Sequence, residues 1–374
     1  MANKEHLSLR SLLVAFSLLL AAMIFAGLYP FNFFPPNQVR WIPHEPGLYF
    51  NGSGISYTNR ESSIFLKDAV SVELLLKERR DCRNWGTNEI FSFYDGAASP
   101  SLLVGQWEGR IFIYSRFEKN EGHEWYTLFC SKQSLPRGKA HLVTVTFDNS
   151  EKSIYIDGQL SNRKNVELKP RTHIEFSGRF LLGNSPRGKN GWCGEVKGLA
   201  VYRRILLPGE IEMHSRRVSQ EGAVGLADMP GCLALYLFNE KEGNAAKSIL
   251  NKPIPFSIPV RLNGLGLTAF SLPIKDMRFY DFEKADFLEN IVFFLLFGAL
   301  LAAIILKKYA TGFFTTFLMV ILSGGLLSCV IEGFQLFLPS RSSSMADILS
   351  NILGSGFGML AAFILTLHKQ HGVK

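Results

Sequence analysis

Four uncharged apolar runs constrain this sequence more than anything else in it. No charged residue occurs from Ser11 to Gln38, from Asn290 to Leu306, from Tyr309 to Ile331, or from Ile348 to Leu367. At 1.5 Å of rise per helical residue, about 20 apolar residues match a hydrocarbon core roughly 30 Å thick. Each run therefore predicts a membrane-spanning helix. The first closes on Tyr29-Pro30-Phe31-Asn32-Phe33-Phe34 rather than on small residues. That ending argues for an uncleaved anchor rather than a secretory signal.

Overall composition conceals the pattern, since 19% charged residues is ordinary for a soluble chain. The charges gather in residues 40–285, which contain no spanning run. The formal charge of +8 is spread through strand-like sequence with no compact Lys/Arg cluster, which excludes nucleic acid as a partner. Some of it flanks the spans: Lys4 and Arg10 before the first, Lys307 and Lys308 between the second and third, Lys369 and Lys374 after the fourth. Four spans place all of these on one side, the cytoplasmic one by the positive-inside rule. The expectation is an integral plasma (inner) membrane protein with both termini inside. Residues 1–35 form the N-terminus and first helix, 40–275 an exported domain, and 282–374 helices two to four. The short loop Pro339–Ala346 also faces out.

The exported part predicts short strands: Ala69–Leu76, Ile90–Tyr94, Ser101–Gln106, Arg110–Ser115, Ala140–Asp148, Lys152–Ile156, Phe180–Leu182, Glu195–Tyr202 and Cys232–Phe238. Turn pairs such as Asp95-Gly96 and Asp157-Gly158 separate them. Strands so spaced, with no long helix between, predict an all-β sandwich or jelly roll. Cys82, Cys130, Cys193 and Cys232 lie in this part. In an oxidising compartment they allow disulfides in three connectivities, with free buried thiols as the alternative. No cysteine pair has metal-ligand spacing.

The second set of informative residues is polar and sits within the spans, where a charged side chain costs about 2.5–3.5 kcal/mol at a helix centre. Asp286 and Asn290 are four apart, Glu332 and Gln335 three apart, Asp347 and Asn351 four apart, so each pair shares a helix face. Arg341 follows in the short outward loop. All of them fall near the outer surface, and a desolvated carboxylate there needs a partner, for which Arg341 is the outward candidate. A polar site facing outward is one reading. Helix caps at Asp286 and at Ser344-x-x-Asp347, an interfacial Arg341, and interhelical hydrogen bonds from Gln335 and Asn351 are the other. Gly354 and Gly358 form a small-residue pair suited to helix packing.

Two resemblances follow from the residues. The ordered set Gly47-Leu48-Tyr49-Phe50-Asn51-Gly52-Ser53-Gly54, Ser71–Lys77, His141–Asp148, Ser153–Gly158, Leu182-Gly183-Asn184, Gly194–Tyr202 and Leu206–Ile211 resembles the LamG-like members of the concanavalin A-like jelly rolls, over roughly residues 46–245. That likeness implies carbohydrate or protein recognition, and calcium as a cofactor of some members. Asp148 and Asp157, with Asn149, are the weak calcium candidates. The paired acids of the related glucanases are missing from every strand; Glu210 and Glu212 follow Pro208 at a helix start. The series Asp286-x-x-x-Asn290, Glu332-x-x-Gln335, Arg341, Asp347-x-x-x-Asn351-x-x-Gly354, together with Leu28-Tyr29-Pro30-Phe31, resembles the VanZ-like membrane family, over about residues 10–34 and 282–367. That family is associated with low-level teicoplanin-type glycopeptide resistance. The inserted domain departs from its pattern.

These readings lead to a cell-envelope protein without enzymatic activity. Its exported jelly roll recognises an envelope glycan or a protein, and its bundle anchors it and meets membrane lipid. The alternative is a membrane enzyme or carrier acting on a lipid-linked phosphate or sugar precursor, with Arg341 on the phosphate and Glu332 or Asp347 handling a proton. No Ser/His or Cys/His nucleophile arrangement supports the alternative.

Overall fold

A computed structural model describes residues 8–59, 63–97, 99–118, 129–169, 172–226, 230–250, 254–262, 265, 281–339, 341 and 343–371, without the side chains of 281–286 and 369–371. Asp286 therefore lies outside the described side chains, as do Lys4, Lys369 and Lys374 of the basic flanks. The chain divides into two compact units, Pro35–Gly266 on one hand and Met1–Phe34 with Leu267–Lys374 on the other.

Pro35–Gly266 is an all-β sandwich. In chain order its strands begin β1 (Arg40–Trp41), β2 (Leu48–Asn51), β3 (Ser56–Thr58), β4 (Ile64–Lys67), β5 (Ala69–Lys77) and β6 (Thr87–Tyr94). They continue with β7 (Leu102–Trp107), β8 (Arg110–Tyr114), β9 (Phe129–Ser134), β10 (His141–Asp148), β11 (Glu151–Ile156) and β12 (Gln159–Asn165). The last are β13 (Glu175–Leu182), β14 (Cys193–Tyr202), β15 (Cys232–Tyr236), β16 (Ala245–Ala246) and β17 (Phe256–Ser257). Among the described residues one sheet runs β1-β2-β14-β5-β10-β11-β12, with β15 also on β14. The other runs β16-β17-β3-β13-β6-β7-β8-β9, with β4 also on β13. Every predicted strand is present.

Alternation explains the layering, because successive side chains in a strand point to opposite faces. On β5, Val70, Val72, Leu74 and Leu76 enter the core between the sheets, where they meet Phe147, Phe176, Phe180 and Trp192. Phe93 and Phe180 cross edge to face, ring centres 4.9 Å apart. Burying one such ring contributes about 1.5–3 kcal/mol, so this aromatic layer holds the sandwich together. The odd members, Glu73 and Leu75, face the other way, under helix α2 (Pro208–Glu221). Ile211, His214 and Val218 recur at helical spacing and form its buried side. Pro208 suits the first turn, and Glu210 accepts from the Leu207 N–H at 2.7 Å, closing the helix start. Arg204 grips the same carboxylate at 2.7 and 2.8 Å. Beneath the helix Glu73 is fully buried and accepts from Thr144 Oγ1 at 3.1 Å and Tyr202 Oη at 3.0 Å, with His214 Nδ1 2.8 Å away.

The same alternation decides the cysteines. Cys82 and Cys193 are joined in a disulfide. Cys130 and Cys232 are thiols, so the wider set of possible disulfide cysteines narrows to one pair. Cys130 sits with Leu103 and Phe112 on the outer face of the β16–β9 sheet. Cys232 sits with Leu75 and Leu235 on the outer face of the opposite sheet. The full thickness of the sandwich separates them.

The other unit holds α1 (Leu9–Leu28), α3 (Asp281–Tyr309), α4 (Phe313–Gln335) and α5 (Met345–His371). All four are long and apolar enough to cross a membrane. Ser8 caps α1, its Oγ accepting from Ser11 N at 3.0 Å. Helices α3 and α5 touch backbone to backbone through glycine: a Cβ on Gly358 would lie 1.9 Å from Leu295 O, and one on Gly298 2.1 Å from Ser355 O. Small residues at that seam are what closely packed spans require.

Candidate functional site

The described polar residues of the spans lie on α3, at the end of α4, in the segment after it and at the start of α5, and each has a specific partner. Helix α5 begins at Met345, so Ser344 is its N-cap and Asp347 its third residue. A Ser-x-x-Asp capping box would have Asp347 reach back to the Ser344 N–H. That N–H instead donates to Glu332 Oε2 at 2.9 Å, across from α4. Ser344 Oγ accepts from Ala346 N at 3.1 Å and completes the cap. Glu332, only 3% exposed, thus places a carboxylate at the positive end of α5.

Asp347 accepts from Asn290 Nδ2 of α3 at 3.0 Å. One turn further in, Asn351 Nδ2 donates to Ser328 Oγ of α4 at 2.9 Å. Gln335 and Arg341 turn to α1 instead. Gln335 Nε2 donates to Gly27 O at 3.0 Å, and Arg341 donates to Ala26 O at 3.0 Å and Tyr29 O at 3.3 Å. Ala26 and Gly27 are in the last turn of α1 and Tyr29 is its C-cap, where backbone carbonyls lack partners within the helix. The expected Arg341 partner was a carboxylate; among the described residues its hydrogen bonds go to this helix end. Of the sequence-selected residues, Glu332 joins Ser344, Asp347 joins Asn290, Asn351 joins Ser328, and Gln335 and Arg341 join α1.

A different kind of site lies on the jelly roll. A cavity of about 480 Å³ opens between Ser63–Phe65, Tyr94–Gly96 and Ser177–Arg179, at the junction of β4, β13 and the β6–β7 turn. Gly178 makes the close approach possible: its φ is +111°, and a Cβ would lie 2.2 Å from Tyr94 O. Asp95 is fixed by Arg116, whose guanidinium donates at 2.8 and 2.5 Å, and by Ser177 Oγ at 3.0 Å. The Arg116 hydrogen bonds hold its carboxyl well below the usual range, at about 2. Phe65 exposes its ring beside these groups, with Lys67 Nζ 5.5 Å from the ring centre. A rigid charged pair next to an exposed ring can orient a polar ligand that also has an apolar face. In the sequence Asp95-Gly96 reads as a turn, and Arg116, twenty-one positions away, carries no local signal linking it to Asp95.

The two weak calcium candidates do not converge. Asp148 accepts from Ser150 N at 2.8 Å and Glu151 N at 2.7 Å, closing the turn after β10. Asp157 accepts from Leu142 N at 2.9 Å at the opposite end of β10, 2.7 Å from His141 Nδ1.

Residues 57–212 match the family described as the concanavalin A-like lectin/glucanases superfamily, and residues 232–366 match VanZ/LLP1. The second match begins inside the sandwich, at β15, and runs through α3, α4 and most of α5. Among solved structures, a candidate carbohydrate-binding protein from Bacteroides ovatus is similar at 12% identity and TM-score 0.40, over 60% of this chain and 61% of that one. The sialidase of Trypanosoma rangeli is similar at 16% identity and TM-score 0.36, over 50% of this chain and 29% of that one. A heptameric SAP-like pentraxin from Limulus polyphemus is similar at 13% identity and TM-score 0.34, over 49% of this chain and 80% of that one. The chain thus spans less than two thirds of the first two. No curated protein matches the sequence.

Proposed function

We propose that this chain, a membrane protein with VanZ/LLP1-like spans and a concanavalin A-like jelly roll inserted after the first of them, is a carbohydrate-recognition protein of the cell envelope. The observation that carries the reading is the cavity beside Phe65, with its fixed Asp95–Arg116 pair. Saccharides have hydroxyls that match charged, planar hydrogen-bonding groups and C–H faces that pack on aromatic rings. Gly178 and the buried Tyr94 set the geometry before any ligand arrives, which lowers the entropic cost of binding. The basic flanks support a topology with the jelly roll outside and both termini in the cytoplasm.

In this reading the bundle is an anchor. Its polar groups close helix ends and link neighbouring helices, at a depth where membrane lipid head groups are the available polar partners. Envelope polymer handling of this kind is also where the VanZ resemblance to glycopeptide resistance would act. The enzyme or carrier alternative needs Arg341 for a phosphate, and its donors are directed at α1.

The test is retention of the full chain, in detergent, on an array of neutral and acidic glycans. Phe65→Ala and Asp95→Asn should each weaken retention at least tenfold, and Phe65→Ala should do so with the unfolding midpoint nearly unchanged. Retention of no glycan, or equal retention by all three proteins, sinks the proposal.

A further inference from the structure

The end of the jelly roll away from the cavity presents a tryptophan to solvent. Trp85 is 81% exposed, on the segment Glu78–Gly86 that links β5 to β6. An exposed indole is normally tolerated on a mobile loop, but this segment is braced from several sides. The Cys82–Cys193 disulfide ties it to the start of β14. Asn84, immediately before the tryptophan, accepts from Cys193 N at 2.8 Å and donates to Cys193 O at 3.0 Å and Gln106 Oε1 at 3.1 Å. Gln106 is itself buried, donating to Glu78 Oε2 at 2.8 Å and accepting from Trp192 Nε1 at 2.7 Å. Glu78 O accepts from Gly138 N at 2.7 Å, which fixes the start of the segment.

The charge along this segment is positive. Arg79, Arg80 and Arg83 precede Trp85 in sequence and are exposed. Asp81 is taken by Arg79 at 3.0 Å, and the buried Glu78 by Arg137 at 2.9 Å. Among the described residues Arg80 and Arg83 make no ion pair. A rigid aromatic platform costs little ordering entropy on binding, and cations left without carboxylates favour an anionic ligand.

We propose that Trp85 is the platform of a second carbohydrate site, which takes acidic saccharides, with Arg80 and Arg83 facing their anionic groups. The electron-rich face of the indole attracts the C–H face of a pyranose, and the guanidiniums meet carboxylates or sulfates in planar, paired hydrogen bonds. The inference rests on the reading of the jelly roll as a carbohydrate binder, but not on the cavity. The eight residues of β6 separate Trp85 from Asp95, roughly 25 Å at about 3.3 Å per residue.

The experiment measures binding of the full chain, in detergent, to polygalacturonate, to dextran sulfate, to neutral dextran and to phosphatidylglycerol vesicles. At least one of the two acidic polymers should bind, more weakly as salt is added, and the two arms separate carboxylate from sulfate recognition. Trp85→Ala should weaken that binding at least tenfold, Trp85→Phe by threefold or less. Arg83→Gln should weaken it severalfold and flatten its salt dependence. Phe65→Ala should leave it unchanged. Binding of neither acidic polymer, or equal binding by Trp85→Ala and the unaltered chain, overturns the proposal. So does Trp85-dependent binding to the vesicles alone, which would make this a lipid-facing surface. If Phe65-dependent glycan retention persists when the acidic polymers fail, only the second site falls. If Trp85-dependent polymer binding persists when Phe65→Ala has no effect on any glycan, only the cavity reading falls.

Discussion

Replacing Glu89 by glutamine should make the jelly roll more stable, by an amount set by pH. Glu89 lies on β6 and is 7% exposed. Its Oε1 accepts from Asn190 Nδ2 at 3.1 Å, and its Oε2 has no hydrogen-bond partner among the described residues. Burial raises its pKa from 4.5 to about 7, against the opposing effect of the Asn190 hydrogen bond. An acid whose value is raised by folding binds its proton more tightly in the folded state. Its contribution is therefore present below pH 4.5 and is lost as the pH rises to about 7. At 1.36 kcal/mol per pH unit, that interval corresponds to about 3 kcal/mol. Glutamine keeps the shape and the Asn190 contact but does not titrate. The stability difference between Glu89→Gln and the unaltered chain should thus grow by about 3 kcal/mol from pH 4.5 to pH 7 and be flat on either side. Urea unfolding in detergent, followed by tryptophan fluorescence, measures it. All five tryptophans, at positions 41, 85, 107, 125 and 192, lie in the jelly-roll segment, so the signal is free of the bundle. A difference that stays constant from pH 4 to pH 8 would refute the reasoning.

Under α2, His214→Ala leaves the buried Glu73 without one of its partners and should cost about 3–5 kcal/mol; the double change Glu73→Met with His214→Leu should cost less, and the same urea titration compares them. In the bundle, Glu332→Gln removes the negative charge from the start of α5 and Arg341→Gln the guanidinium donors from the end of α1. Each should cost about 1 kcal/mol, and since the two residues serve different helices the costs should add; a coupling well above about 0.5 kcal/mol would mean one linked cluster. Alkaline phosphatase fused at Ser131 should be active and at Lys374 inactive, and activity at Lys374 would contradict the four-span topology.

The legible part of the fold is the part where hydrophobicity is periodic. Val70, Val72, Leu74 and Leu76 announce β5 by alternation, and the uncharged runs announce the four long helices by length alone. Strand β12, Gln-Leu-Ser-Asn-Arg-Lys-Asn, is invisible by the same test, because it is mostly exposed and has almost no apolar face. It is a strand because β11 offers it a hydrogen-bonding edge, and that edge is a property of the tertiary structure. Strands β16 and β17, two residues each, are too short to show any period. The Asp95–Arg116 pair and the Glu73–His214 contact, 141 positions apart, escape for a related reason: neither partner has a neighbour in sequence that marks it.

The spans illustrate the opposite difficulty, where the sequence singles out residues and leaves their partners open. Helix periodicity places Glu332 with Gln335 on one face, and both are buried in the structure. Periodicity says nothing of direction, though. Glu332 reaches forward to the N-terminus of α5, while Gln335, one turn on, reaches across to the C-terminus of α1. The governing quantity is the supply of unsatisfied backbone groups. A helix end leaves backbone groups that must be satisfied by its own last turn, by water or by a borrowed side chain. Helix α1 closes on Leu28 with no polar side chain of its own in its last turns, so it borrows Gln335 and Arg341. Helix α5 borrows Glu332 although Asp347 is at hand, and Asp347 accepts from Asn290 of α3. Two carboxylates, Glu332 between α4 and α5 and Asp347 between α5 and α3, thus tie the three helices together near one end of the bundle.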